Sequence, residues 1–189
     1  MPKPLDVNIA GIPETLKERS QWVVWNYHAV EGELKKPPFS PKTSKRASVT
    51  RPDTWGSFAD AQKAYETGRY AGIGFMLTTG IVGIDIDHCI ENGVLTSQAQ
   101  EIIQALGTYT EYSPSTSIDK REGGVHLLIY GSLPGHYRRS GTIEMYQESR
   151  YLTITGQRVN ATPLTLVHNQ EQLTAVYEKI FPSHSPQKR

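Results

Sequence analysis

Ile81-Val-Gly-Ile-Asp-Ile-Asp-His88 decides how the rest of this chain is read. A short apolar run bounded by glycine and polar residues is the pattern of a buried strand, and this one carries two carboxylates at i and i+2. Residues two apart on a strand share a face, so Asp85 and Asp87 project side by side while Val82, Ile84 and Ile86 fill the opposite face. Gly83 is expected to leave the acidic face open beside the pair. Two like charges this close are costly unless a cation lies between them. Carboxylates bind hard divalent ions such as Mg²⁺, and those ions commonly serve phosphate-bearing substrates. An isolated Asp-x-Asp pair is more often a solvated strand face, so the surrounding residues must choose.

Working outward, two strands are expected at Gly72-Ile-Gly-Phe-Met-Leu77 and from Gly80 to Asp87, joined through Thr78-Thr-Gly80. Upstream, a short helix near Pro13 to Arg19 feeds an apolar strand, Gln21-Trp-Val-Val-Trp-Asn-Tyr27. Residues 31–55 read as a Pro- and Lys-rich connection. Ser57, with Asp60 three residues on, opens a helix that stops near Gly68. Downstream come a helix from Ser97 to Leu106 and strands from Gly124 to Tyr130, Thr142 to Tyr146 and Arg150 to Thr155. A last helix, Gln170 to Ile180, carries the apolar stripe Leu173, Val176, Tyr177 and Ile180. Consecutive strands with short links make a largely antiparallel sheet, and flanking helices make the class α+β. Gly72-Ile-Gly-Phe is no dinucleotide loop, because no helix follows it and a third glycine is missing.

Strand parity gathers further candidates. His126, Leu128 and Tyr130 share one face; so do Glu144 and Tyr146. If both strands pair near the Asp85–Asp87 strand, Asp85, Asp87, Glu144 and His126 converge. A third acid suits a two-metal phosphoryl-transfer site. Taken alone, Glu144 reads as a surface carboxylate, and His126 equally as a satisfied core histidine or a phosphate contact. Basic residues cluster too: Lys35, Lys36, Lys42, Lys45, Arg46 and Arg51 lie between Leu34 and Pro52 with no acid among them, and Arg138 and Arg139 form a second pair. Such loops suit the phosphates of a nucleotide or nucleic acid, although a charge run also serves simply as a solvated loop.

Bulk properties set the bounds. At 189 residues, 37% hydrophobic and 21% charged, the chain suits one soluble globular domain with a real core. Its net charge of +1 leaves any nucleic-acid affinity to local clusters. The single cysteine, Cys89, excludes an internal disulfide framework and fits a reducing cytoplasm. Met1-Pro-Lys-Pro lacks the apolar core of a signal peptide, and no apolar run approaches membrane-spanning length, so no membrane association is expected. Residues 1–181 are expected to form one domain, with residues 182–189 a polar tail or linker, leading to a downstream helical or helicase domain.

Gln21-Trp-Val-Val-Trp25, Lys36-Pro-Pro-Phe-Ser-Pro-Lys-Thr43, Ala47-Ser48 and Thr54-Trp-Gly-Ser-Phe58 stand in order before Gly72-Ile-Gly-Phe-Met-Leu-Thr78 and Gly83-Ile-Asp-Ile-Asp-His88. Tyr112-Ser-Pro-Ser115, Gly124-Val-His126, Ile143-Glu-Met-Tyr146 and Ser149-Arg-Tyr-Leu-Thr-Ile-Thr-Gly156 follow. This ordered set, roughly Ile12 to Gly156, resembles the bifunctional DNA primase/polymerase (prim-pol) domain of phage, plasmid and prophage replication proteins. That family is a branch of the archaeo-eukaryotic primase superfamily. The resemblance implies a primase catalytic core whose second half is like an RNA-recognition-motif sheet. It implies divalent metals, two Mg²⁺ or Mn²⁺ ions, on Asp85, Asp87 and Glu144, and His126 on the phosphates of an incoming nucleotide. Ser113, Ser115 and Gly124 belong to the same nucleotide-binding stretch, and Arg150 and Lys36 match recurring basic positions that contact phosphate or template.

One departure stands out. The family has Ser-Pro-Ser-Gly-x-Gly-x-His, whereas here Thr116 to Arg121 read as an insertion and Glu122 replaces the first glycine. This charged loop is either a lid over the nucleotide or a tolerated insertion. The leading function is template-directed nucleotidyl transfer, as primer synthesis or DNA extension, on single-stranded or primed DNA with nucleoside triphosphates. The alternatives are a metal-dependent nuclease and a non-catalytic replication-initiator or DNA-binding module fused to a helicase.

Overall fold

Helix boundaries follow the capping chemistry. A computed structural model describes residues 3–117 and 121–182. The helices are α1 (Glu14–Lys17), α2 (Phe58–Glu66), α3 (Ser97–Leu106) and α4 (Gln170–Ile180). Before α2, the Ser57 hydroxyl accepts from the Asp60 N–H at 3.1 Å while the Asp60 carboxylate accepts from the Ser57 N–H at 2.9 Å. That reciprocal pair satisfies two donors a helix start would otherwise leave bare. Thr96 and Asn169 cap α3 and α4 through their side chains. Gly107, at φ 53°, stops α3 in the left-handed conformation.

The strands are β1 (Trp22–Trp25), β2 (His28–Val30), β3 (Glu33–Lys35), β4 (Pro38–Phe39), β5 (Gly72–Met76), β6 (Gly80–Glu91), β7 (Val94–Leu95), β8 (Tyr109–Tyr112), β9 (Gly123–Gly131), β10 (Arg139–Ser140), β11 (Ile143–Tyr146) and β12 (Tyr151–Ile154). Their pairings are antiparallel, and the class is α+β. The strands do not make the one sheet that short links suggested. A four-stranded sheet runs β12-β5-β1-β4, and a six-stranded sheet runs β10-β11-β6-β9-β8, with β7 on the end of β6. The short link after β5 carries the chain from one sheet to the other, where a tight hairpin would have paired β5 with β6. Residues 31–55 are likewise more than a connection. Glu31 and Gly32, with φ of 52° and 84°, close the β2–β3 hairpin as a two-residue turn. No helix among the described residues is long and apolar enough to cross a membrane.

Strand parity places the core. Val82, Ile84 and Ile86 of β6 join Val125, Leu127 and Ile129 of β9 under Ile102, Leu106, Leu173 and Val176 of α3 and α4. The other face meets the four-stranded sheet: Ile81, Leu128 and Tyr109 pack with Trp22, Ile73, Phe75, Leu152 and Ile154. Each fully buried large apolar side chain is worth roughly 1.5–3 kcal/mol, so this inter-sheet layer holds the two sheets together. Gly83 belongs to that contact. A Cβ there would lie 2.6 Å from Leu152 Cδ1 and 2.9 Å from Leu77 Cδ1. The missing side chain therefore lets the sheets close, and does not leave the acidic face open.

Candidate active site

One row of residues crosses the six-stranded sheet at right angles to its strands. Register pairs Arg139 with Glu144, Glu144 with Asp85, Asp85 with His126 and His126 with Glu111. Directly paired residues on antiparallel strands point to the same face. Their side chains thus line up on the face toward the four-stranded sheet.

Where that row meets the edge of the inter-sheet core, a cavity of about 210 Å3 opens, lined by Lys36, Asp85, Asp87, Ser113, Ser115 and His126 with Tyr151, Leu152 and Thr153 of β12. Six sequence-derived candidates thus share one cavity. A larger cleft of about 1340 Å3 adjoins it, shares Asp87 and Ser115, and runs past Tyr27, His88 and Tyr112.

Hydrogen bonds orient the histidine. His126 is 4% exposed, and its Nδ1 lies 2.9 Å from the Thr153 carbonyl. A carbonyl only accepts, so Nδ1 carries the proton and Nε2 is left facing Asp85 Oδ1 at 3.5 Å. Burial works against the charged ring, but Asp85 and then Glu111 outweigh it and raise its pKa above the ordinary histidine value. Asp87 is also raised, first by burial and then by the neighbouring charge of Asp85. Lys36 is lowered by burial, against the pull of Asp85 and Asp87. Its ammonium sits 5.7 Å over the Trp25 ring and its carbonyl accepts from the Tyr151 hydroxyl.

Glu144 is in register with Asp85 but does not line the cavity; its carboxylate is 3.4 Å from the Arg139 guanidinium. Arg150 lies 4.5 Å over the Tyr146 ring and donates to its hydroxyl, away from the cavity lining. Gly124 lines the larger cleft, and a Cβ there would come within 2.6 Å of the Ile86 carbonyl, so β9 needs a glycine to approach β6. Arg46 stacks over Phe39 at 5.2 Å, and Arg138 donates to the carbonyls of Gly135 and Tyr137. Lys42 and Lys45 are exposed on the loop after β4. Of the inserted loop, Thr116 to Arg121, residues 118–120 lie outside the described residues, as do residues 183–189 of the tail.

Sequence reasoning missed Glu111 altogether. It is a fully buried carboxylate whose Oε1 lies 3.6 Å from His126 Nδ1. Tyr109-Thr-Glu-Tyr112 is a β-branched and aromatic run that propensity could have marked as a strand.

The donors suit a hard divalent cation. Asp85 and Asp87 offer oxygens from one strand face, and the buried Asp85 Oδ1 has no hydrogen-bond partner among the described residues. Among those residues no three acidic, histidine or cysteine side chains are already drawn together as a ligand group. Glu144 sits one strand away, held by Arg139.

No protein-family model matches the chain. Among curated proteins it is similar to a DNA Primase-polymerase from Nitratiruptor phage NrS-1, with 31% identity over 154 residues and 76% of this chain aligned. The resemblance to the primase-polymerases holds. The matched part is 20% of that phage primase-polymerase, so the chain spans about a fifth of its relative's length.

Proposed function

We propose that this chain is the catalytic module of a primase-polymerase, adding nucleotides to a primer or a growing DNA strand on a DNA template. The observation that carries this reading is the convergence of Asp85, Asp87, Lys36, Ser113, Ser115 and His126 on one cavity between the two sheets. Its relative's name supports the same assignment. On this reading the fold is the primase catalytic core with an RNA-recognition-motif-like second half, spanning residues 1–181. It acts in the cytoplasm, beside a helicase domain or protein.

Asp85 and Asp87, with Glu144 released from Arg139, would hold two Mg²⁺ or Mn²⁺ ions. When bound, the metals activate the attacking 3′ oxygen and stabilise charge on the phosphate being transferred. Lys36, with its ammonium held over Trp25, supplies positive charge to triphosphate oxygens. His126 presents Nε2 to the cavity, and the Ser113 and Ser115 hydroxyls, 3.0 Å apart, add short polar contacts. Lys42, Lys45, Arg46, Arg138, Arg139 and Arg150 contribute backbone contacts to nucleic acid.

Incubating the chain with a primed template, Mn²⁺ and labelled nucleotides tests this. Extension of the primer is expected. Degradation of the strand would mark a nuclease, and retardation in a gel with neither reaction would mark a binding module; either result overturns the proposal.

A further inference from the structure

Glu111 lies at 0% exposure in the middle of β8, where an unpaired carboxylate would be costly. Its partners are all donors. Oε2 accepts from the Tyr109 hydroxyl at 2.6 Å and the Gly156 N–H at 2.8 Å, and Oε1 accepts from the Thr155 N–H at 3.0 Å. Oε1 also faces the protonated His126 Nδ1 at 3.6 Å. A carboxylate accepts at both oxygens, whereas a glutamine amide would turn two N–H groups toward groups that are themselves donors.

The arrangement spans both sheets. Glu111 is on the edge strand of the six-stranded sheet, while Thr155 and Gly156 directly follow β12 of the four-stranded sheet. β12 supplies the Thr153 carbonyl to which His126 Nδ1 donates. From the other side, Asn8 donates to the Thr155 carbonyl at 2.7 Å, and Gly11 approaches Gly156 so closely that a Cβ would lie 1.9 Å from its carbonyl oxygen. The end of β12 is therefore gripped between Glu111 and the Ile9–Gly11 turn.

We propose that Glu111 is a positioning residue for His126: by fixing the Thr155–Gly156 backbone and facing Nδ1, it holds the ring so that Nε2 points at Asp85 and the cavity. This deepens the nucleotidyl-transfer reading and rests on it for its kinetic consequence alone. Glu111 touches no reacting atom. It acts through the histidine.

The test begins with the ring nitrogens of His126, followed by ¹⁵N NMR in the full chain at a pH where the ring is neutral. In the wild-type chain the proton should sit on Nδ1 and exchange slowly with solvent. A neutral ring protonated only at Nε2 overturns the inference, and this measurement decides the matter even where a variant does not fold. In Glu111→Gln, judged folded by its amide spectrum, the Nε2–H form should appear. Unchanged ring signals there also overturn it. Kinetically, Glu111→Gln should raise the Michaelis constant for nucleotide roughly 10–100-fold, by analogy with the loss in affinity or activity when the outer partners of metal-ligating histidines are removed. It should add nothing in a His126→Ala background, because two residues acting through one group are not additive. A full additional loss in that background overturns the positioning role. A chain that shows the ring behaviour but extends no primer would keep Glu111 as the positioner of His126 and sink the polymerase reading instead.

Discussion

Asp85 and His126 face each other across β6 and β9, with Asp85 Oδ1 3.5 Å from His126 Nε2 and without a hydrogen-bond partner among the described residues. A buried oxygen in that condition is retained at a cost to stability, and costs of this kind gather where a ligand is bound.

Asp85→Asn and Asp87→Asn should each abolish nucleotide addition while leaving the fold intact. The amide keeps the shape of the side chain and removes the charge a cation needs. Primer extension alongside thermal melting checks this, and full extension by both variants would remove the pair from the chemistry. Asp87→Asn should also stabilise the metal-free chain at neutral pH. The raised pKa of Asp87 means that its protonated form favours the fold. Its favourable contribution is present in acid and lost as pH rises through that raised pKa, so the advantage of the amide should vanish in acid.

His126→Ala should raise the Michaelis constant for nucleotide more than it weakens template binding. The ring lines the cavity beside Lys36, Ser113 and Ser115, away from the exposed basic loop. Template affinity that fell while nucleotide dependence stayed constant would assign the ring to the template path.

Replacing Lys42, Lys45 and Arg46 together by alanine should weaken DNA binding evenly across sequences. Each lost phosphate contact should flatten the log–log salt dependence by about 0.7 for single strands. Titrations at several salt concentrations read this directly; a wild-type slope would show the loop to be merely solvated.

Ser57→Ala should destabilise the chain by about 1 kcal/mol through loss of the α2 cap, read from the denaturant midpoint. The Ser57 hydroxyl, and then its N–H, hold the Asp60 carboxyl below the usual carboxylate range. The stability from that depressed pKa is present above the ordinary value and lost as pH falls through the folded one. The gap between wild type and variant should therefore narrow in strong acid.

Gly11→Ala should cost about 1–3 kcal/mol or more, because the new methyl group meets the Gly156 carbonyl head-on. An unchanged denaturation midpoint would mean that the Ile9–Gly11 turn does not grip β12.

Local signals carried much of this architecture. The Ser57–Asp60 pair marks the start of α2, and the apolar stripe Leu173, Val176, Tyr177 and Ile180 marks α4 over Gln170–Ile180. The parity of Asp85 and Asp87 put both on one face, and the condition that the Glu144 and His126 strands pair beside them is met on both sides of β6. What lay beyond reach depends on residues distant in the chain. Division into two sheets follows from β12 pairing with β5, some 75 residues away, and nothing near Thr78 and Thr79 announces it. Glu111 is intelligible only through Thr155 and Gly156, since a glutamate on a strand otherwise belongs in solvent. Gly83 misled for the same reason: its neighbours Leu77 and Leu152 come from other strands or links.

The seam between the sheets also dictates when the cavity exists. Along the chain its lining comes from the four-stranded side at Lys36, from the six-stranded side between Asp85 and His126, and from the four-stranded side again at Tyr151 to Thr153. The stretch from Asp85 to His126 brings most of the polar groups, but Lys36 and Tyr151 to Thr153 must dock against it before the cavity is closed. A ligand seated there resists complete unfolding rather than local fraying. Its binding should slow amide hydrogen exchange in β12 and β6 together, although these strands belong to different sheets.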